Sequence, residues 1–370
     1  MKSKILFGIL FGYLMVACSS DDEGTTSEPI PPSPTSFIAI GENDTQVLQY
    51  SYDAEANAGM STNLTETVGL PIGYLAIRQN DEVVSFYTFF QGAFNLYQWD
   101  TQQLQGMVFE RFYELTDERS VAWGTDLGNN VLFGYFGPFT ARDLALQRVS
   151  LLGDAGTDVT IETSVASTSR PLTANERVYI SYVDSEQDHK LVVYDWTTEE
   201  LSVILNFGKQ PFSFFVTEND EVAVLKNEVP PVMELYDAAN LDFLNRMTLS
   251  TNLRFDSGPV NDVVLLDNKV YYNFTFAQPS TLTSGPAIYD LDSGDNVVFP
   301  LDNIVDEVEQ QVEQSIGITT QVYDKVNNVF LVGFGALDAT NRGGVFQLSE
   351  AGELIEVFEF PFTPTYLVRN

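Results

Sequence analysis

The chain has 370 residues, with 52 Asp and Glu against 18 Lys and Arg, a net charge of −34, one Cys and one His. That imbalance excludes a nucleic-acid binder, which needs clustered bases to meet phosphates, and it excludes docking on anionic lipid by charge. The single Cys and single His exclude a disulfide framework, a Cys-based zinc site and any multi-His metal site, while 44% hydrophobic and 13% aromatic residues are ample for a folded core.

The N-terminus reads as an address. Lys2 and Lys4 precede a 13-residue, almost wholly apolar run at 5–17. A bilayer span takes about 20 residues, so this run has the length of a signal-peptide core instead. The string Leu14-Met15-Val16-Ala17-Cys18 resembles a bacterial lipobox, with Met where Leu is usual. The resemblance implies removal of residues 1–17 and lipidation of Cys18, which anchors the chain to a membrane and leaves no free thiol. Ser19-Ser20-Asp21-Asp22-Glu23 resembles the acidic export tag of Bacteroidetes surface lipoproteins, and so implies the outer face of the outer membrane. An ordinary signal peptide with an incidental Cys, followed by a plain acidic linker, is the alternative. The stretch 24–36 is rich in Pro, Ser and Thr, the composition of an extended linker. The expected organisation is therefore a signal peptide at 1–17, a lipidated Cys and linker at 18–36, and one globular domain at 37–370.

That domain is a repeat. A turn rich in Asn and Asp precedes a β-branched or aromatic strand at Val83, Val131, Val178, Val222, Val270 and Val329, with gaps of 48, 47, 44, 48 and 59 residues. Asn, Asp and Gly supply the positive φ that tight hairpins need. The string FIAI at 37–40 is a shortened first copy, Ile38 lying 45 residues before Val83. About 15 residues after each such strand comes a second one ending in aromatic-Asp, at Asp53, Asp100, Asp195, Asp237 and Asp290; Phe346-Gln347 is a degenerate member, and the third copy lacks the signature. Four strands per unit at this period is the arithmetic of an all-β, seven-bladed β-propeller, with six or eight blades also compatible. The first copy has no room for an innermost strand. The C-terminal run Tyr366-Leu367-Val368-Arg369 resembles Tyr74-Leu75-Ala76-Ile77-Arg78, so the C-terminal strand is expected to complete blade one and remove the free edge. In the long gap, Ile304, Val305, Val308, Val312 and Ile316 are spaced as one face of a helix near 303–315, with Asp302 as its cap.

No catalytic signature is present: the chain has no phosphate loop, no nucleophile elbow and no His-based triad. His189, in an expected loop, reads as a solvated side chain, and the aromatic-Asp residues read as turn caps because none shows the spacing of a calcium loop. Charge placement carries more. In a propeller, the loops joining second to third strands share one end with the blade-to-blade links. Arg142, Lys190, Lys226 and Arg342 fall in or beside the former, and Arg119, Arg170, Lys209 and Arg254 in or beside the latter. Phe90, Tyr135 and Phe139 join them, and aromatics with arginines suit an anionic or flat ligand. The expected ligand-binding set is thus Arg142, Lys190, Arg342, Phe90, Tyr135 and Phe139, with no metal or catalytic residue and no cofactor implied. The competing expectation pairs these bases with nearby acids such as Asp117, Asp188, Asp256 and Asp338.

Lipobox, acidic tag and repeat together resemble the propeller lipoproteins displayed on Bacteroidetes cells, some of which capture siderophores or other nutrients beside outer-membrane transporters. The resemblance implies a binding module with a small-molecule, glycan or protein partner. A carboxylate-dependent glycan hydrolase or lyase, and a structural or adhesive surface protein, are the alternatives.

Overall fold

The computed structural model describes residues 33–370, less Asp154, Gln278, Thr281, Ala339, Thr340 and Asn370. The lipobox and the acidic tag lie outside the described residues.

Seven sheets form a β-propeller, antiparallel except where Gly258–Pro259 adds a short parallel edge to Phe212–Val216 of blade five. Counting outward from the axis, blade two runs Ala76–Asn80, Val83–Phe90, Ala93–Asp100 and Gln105–Glu114, and the other blades repeat this order. Every repeat strand from Val83 to Val329 is a second strand of its blade, and every aromatic-Asp closes a third strand. The aspartates cap turns as expected. Asp100 Oδ1 accepts from the backbone N–H of Gln102 and Gln103, at 3.0 and 2.7 Å, and Asp53, Asp195, Asp237 and Asp290 do the same two and three residues on. The two irregular copies are corrected by the register. Ser150 and Ser349 occupy the aspartate position, opposite Asn130 and Val329, and their hydroxyls accept from Leu152 and Ala351 at 3.2 Å. Blade seven's equivalent of the signature is therefore Leu348-Ser349, with hydroxyls doing the work of carboxylates.

The ring closes through the C-terminus. Thr363–Leu367 is the innermost strand of blade one, pairing Ala39 with Leu367 and Ile40 with Tyr366, and a bulge separates Ile40 from Gly41. A Cβ on Gly41 would stand 2.0 Å from the Thr363 carbonyl oxygen, so only glycine admits this closure. Gln79 of blade two clamps the closing strand, accepting from Tyr366 Oη and Arg369 N at 3.0 Å and donating to Arg369 O at 2.7 Å. From the other side, Thr35 exchanges hydrogen bonds with the buried Gln347 amide of blade seven, at 2.8 and 2.7 Å.

The core is a ring of clusters, one at each blade-to-blade interface. Successive side chains of a strand point to opposite faces, and here both faces are covered. Val84 and Phe86 pack toward blade one, while Tyr87 packs toward blade three. This explains the nearly continuous apolar runs that mark the repeat, which a one-sided sheet would replace by alternation.

Three elements depart from expectation. The inserted helix, α2, spans Leu301–Val312 behind Pro300 as N-cap, with no side-chain cap. Asp302 sits in its first turn, where its charge suits the helix dipole. Ile304, Val305, Val308 and Val312 pack into the cluster between blades six and seven, while Ile316 already belongs to a strand. A short helix, α1 (Leu64–Val68), starts on the Asn63 side chain, whose Oδ1 accepts from Glu66 N at 3.0 Å. Blade four's first strand is split into Val165–Thr168 and Leu172–Ala174, both paired with Arg177–Asp184. Pro171, which has no N–H to give the ladder, sits in the break with Arg170.

Candidate binding surfaces

Two ends and an axial channel offer themselves. At the loop end the candidate residues separate into two groups. Phe139 and Phe90 are 81% and 66% exposed, and Arg142 and Arg342 are exposed with no acidic partner within ion-pair distance among the described residues. Lys190 and Tyr135 are different. Lys190 is nearly buried and held by Glu162 at 2.5 Å and Asp184 at 3.0 Å; burial pulls its pKa down, but these two carboxylates more than offset that and raise it. Tyr135 is wholly buried beneath Arg119, whose guanidinium lies 5.2 Å from the ring centroid. Burial, reinforced by the charge of Asp158, pushes its phenol up to about 12.

Much of the basic set on this end is spoken for by acids. Arg119 pairs with Asp158 at 2.5 Å, Lys209 with Asp188 at 2.7 Å, and Lys226 with Glu234 at 2.7 Å. Arg254 lies 5.4 Å over Phe274. Arg170 is not on this end at all: the break in blade four's first strand carries it to the axial channel. His189 opens the third strand of blade four, half-buried, its ring edge-on to Phe212 at 6.5 Å.

The channel holds a cavity of about 490 Å³ that runs from the level of Arg170 to the first-to-second-strand turns at Asp81, Asn175 and Glu218. Innermost strands line it, and they bring Arg78, Arg170 and Arg369 together from blades two, four and one. Arg78 donates from Nη1 to its neighbour's carbonyl, Ile77 O, at 2.7 Å, while its Nε is buried without a partner. Burial lowers its pKa, and the like charge of Arg170 adds to this. Arg369 donates to Asn261 O at 2.8 Å and Tyr366 Oη at 3.0 Å, with Asp262 Oδ1 3.9 Å away. Enclosure by the walls raises the pKa of Asp262; its side chain keeps 46% of its surface open to the channel, so water moderates that push. Asp126, on blade three's innermost strand, accepts from Ser85 Oγ and Tyr87 Oη at 2.6 Å and Gln98 Nε2 at 2.9 Å. At the mouth Lys325 of blade seven reaches Glu218 of blade five at 2.8 Å.

Sequence reasoning placed Arg170 at the loop end and passed over Arg78 and Arg369, although a signal was present. The two related runs Leu75-Ala76-Ile77-Arg78 and Leu367-Val368-Arg369 each place an Arg after apolar residues, Arg78 within the innermost strand Ala76–Asn80 and Arg369 just past the innermost strand Thr363–Leu367. Among the described residues no group of three or more His, Cys, Asp and Glu could hold a metal ion.

No family model matches the chain, and no curated protein matches it. Among solved structures it is similar to a prolyl endopeptidase, from a study of two such enzymes and the role of inter-domain dynamics in their catalysis and specificity. The TM-score is 0.53 at 11% identity, covering 90% of this chain and 51% of that one. The chain thus spans about half the length of that peptidase, and the likeness shows the propeller fold alone.

Proposed function

We propose that this chain is a lipid-anchored binding module on the outer face of a bacterial outer membrane. In this reading, lipid on Cys18 holds it to the bilayer, the segment to residue 36 spaces the ring away, and the loop end captures a nutrient or siderophore beside an outer-membrane transporter. The observation that carries the binding reading is the coincidence, on the loop end, of exposed Phe90 and Phe139 with the unpaired Arg142 and Arg342. Arg119, Lys190, Lys209 and Lys226 on this end are consumed by acids, so an Arg and a bare aromatic on one loop, as Arg142 and Phe139 are, suit a ligand that is both anionic and flat. The fold alone supports no more than a scaffold for such a site.

A ferric tris-catecholate, trianionic and aromatic, is the probe that matches this chemistry. Its binding to the purified chain is followed by quenching of tryptophan fluorescence. Arg142→Ala combined with Arg342→Ala is expected to weaken it at least tenfold with the circular dichroism unchanged. Equal affinity in the double variant, or no saturable quenching of the native chain, would sink the loop-end assignment. The anchor is tested separately: metabolic palmitate labels the native chain in cells, and Cys18→Ala abolishes the label. Labelling that survives this change would overturn the lipid claim.

The alternatives fit less well. Glycan cleavage needs two carboxyl groups converging on the scissile bond, and of the channel acids Asp126 is committed to three donors. A purely structural or adhesive role gives no reason for an arginine-lined cavity on the axis.

A further inference from the structure

The channel is a separate problem from the loop end, and its charge pattern is the oddest feature of the molecule. A chain of −34 has acids to spare, and it spends them on its bases: Arg111, Arg119, Arg148, Arg177, Arg246, Lys190, Lys209, Lys226 and Lys325 all have a carboxylate within 4.0 Å. Arg78 and Arg170 have none among the described residues, although they face the same cavity. Two guanidinium groups on one cavity repel each other, and Arg78 also loses hydration, a cost that ordinarily selects against the arrangement. Arg369 stands on the same cavity wall, with its nearest acid 3.9 Å away.

The donors that remain are of one kind. Arg78 gives Nη1 to Ile77 O and its buried Nε lacks an acceptor, while the exposed Arg170 side chain makes no hydrogen bond among the described residues, so its fork is free for an oxyanion. A guanidinium fork matches carboxylate and phosphate oxygens in geometry and charge. The cavity, about 490 Å³, is of the size that small-molecule sites have, about 300–1,000 Å³. Thr125, Thr173, Asn175 and Asn261 on its walls add neutral donors and acceptors for the rest of such a solute. At the mouth, Lys325 is already neutralised by Glu218; deeper in, Asp126 is committed to Ser85, Tyr87 and Gln98 and Asp262 stands beside Arg369, so Arg78 and Arg170 keep no carboxylate within 4.0 Å among the described residues.

We propose that the turn-side half of the axial channel binds a small solute bearing a carboxylate or phosphate group, held by Arg78, Arg170 and Arg369. This site does not depend on the loop-end reading, and each can fail alone.

Calorimetric titration of the purified full chain with citrate and, separately, inorganic phosphate tests it. At least one of the two is expected to bind saturably. Affinity should fall at least tenfold in Arg170→Gln and below detection in Arg78→Met combined with Arg170→Gln. The Arg142→Ala, Arg342→Ala chain should bind as the native chain does. Binding of citrate alone marks the ligand as a carboxylate, and binding of phosphate alone marks a phosphate. If neither anion binds saturably, or if the channel variants bind as tightly as the native chain, the proposal falls. Should the double variant lose its native circular dichroism, Arg170→Gln decides, because that side chain is exposed on the cavity wall and supports no packing.

Discussion

Blade five and the axial channel treat positive charge in opposite ways. In blade five, Glu234 is almost wholly enclosed and meets Lys226 at 2.7 Å, Arg246 at 2.9 Å and the Tyr236 hydroxyl at 2.7 Å. Every member has an oppositely charged or hydrogen-bonding partner within one sheet. In the channel, Arg78 and Arg170 come from different blades and have no carboxylate within 4.0 Å among the described residues; Asp126, whose charge Arg78 feels, is committed to three other donors. The first arrangement is self-sufficient and therefore structural. The second is incomplete, and a group kept in an unfavourable state is a candidate for function, because function is what offsets its cost.

Stability measurements should separate the two with opposite signs. Lys226→Met keeps the volume of the side chain but leaves Glu234 short of its closest cation. Breaking one partner out of a buried ion pair costs about 3–5 kcal/mol; Arg246 and Tyr236 remain, so about 3 kcal/mol is expected in denaturant unfolding. A loss below about 1 kcal/mol would show that the network is solvated and the contrast unfounded.

The acid limb of the stability curve sharpens the same point. Burial pushes the Glu234 carboxyl up, but Lys226, Tyr236 and Arg246 together hold it below the ordinary glutamate value. Its contribution is present above the unfolded pKa and disappears as pH falls through the lower folded one. Asp262 has the reverse sign: its folded pKa is raised, so what it contributes is present below the unfolded pKa and is lost as pH rises through the folded one. Glu234→Gln should therefore flatten the decline in unfolding free energy between about pH 5 and pH 3, and Asp262→Asn should not. Identical acid limbs in Glu234→Gln and the native chain would remove Glu234 from the account.

Much of this architecture was legible because its causes are local. The second strands betray themselves through Asn- and Asp-rich turns and through burial on both faces. The aspartate caps bond only two and three residues ahead, and ring closure followed from a missing innermost strand and a matching C-terminal run. What escaped the sequence is non-local. Tyr135 and Phe139 are two aromatics at one loop, yet Arg119 from the preceding link covers the first and leaves the second bare. Lys190 lost its freedom to Glu162, which lies 28 residues earlier on the outermost strand of blade three. The channel arginines are scattered from residue 78 to residue 369, and only the closed ring makes neighbours of them.

Arg78→Met asks whether the channel charge is a burden. A methionine there removes an incompletely satisfied cation and restores apolar contact beside Ile77 and Tyr366. Replacing a desolvated charge by a packed apolar side chain is neutral or stabilising, here by about 1 kcal/mol. In the absence of added anion the variant is expected to melt at or above the native temperature. A drop of more than about 1 kcal/mol would mean that Arg78 holds the ring together through a contact of its own, and the comparison with blade five would collapse.

The smallest effect is expected at the loop end. Arg142 and Arg342 are exposed and unpaired, so truncating either to alanine removes no buried surface and orphans no acid. Surface changes of this kind stay within about 0.5 kcal/mol, and both variants should unfold with the native chain in urea. Arg142 follows Thr140, whose hydroxyl bonds Asp143 at 2.9 Å, and its own backbone carbonyl accepts from Val165 at 2.7 Å. The loop is therefore fixed by main-chain and neighbouring groups, and the arginine side chain is supernumerary to the fold. A measurable loss of stability in Arg142→Ala would place that side chain among the structural residues with Lys226 and remove it from the loop-end ligand set.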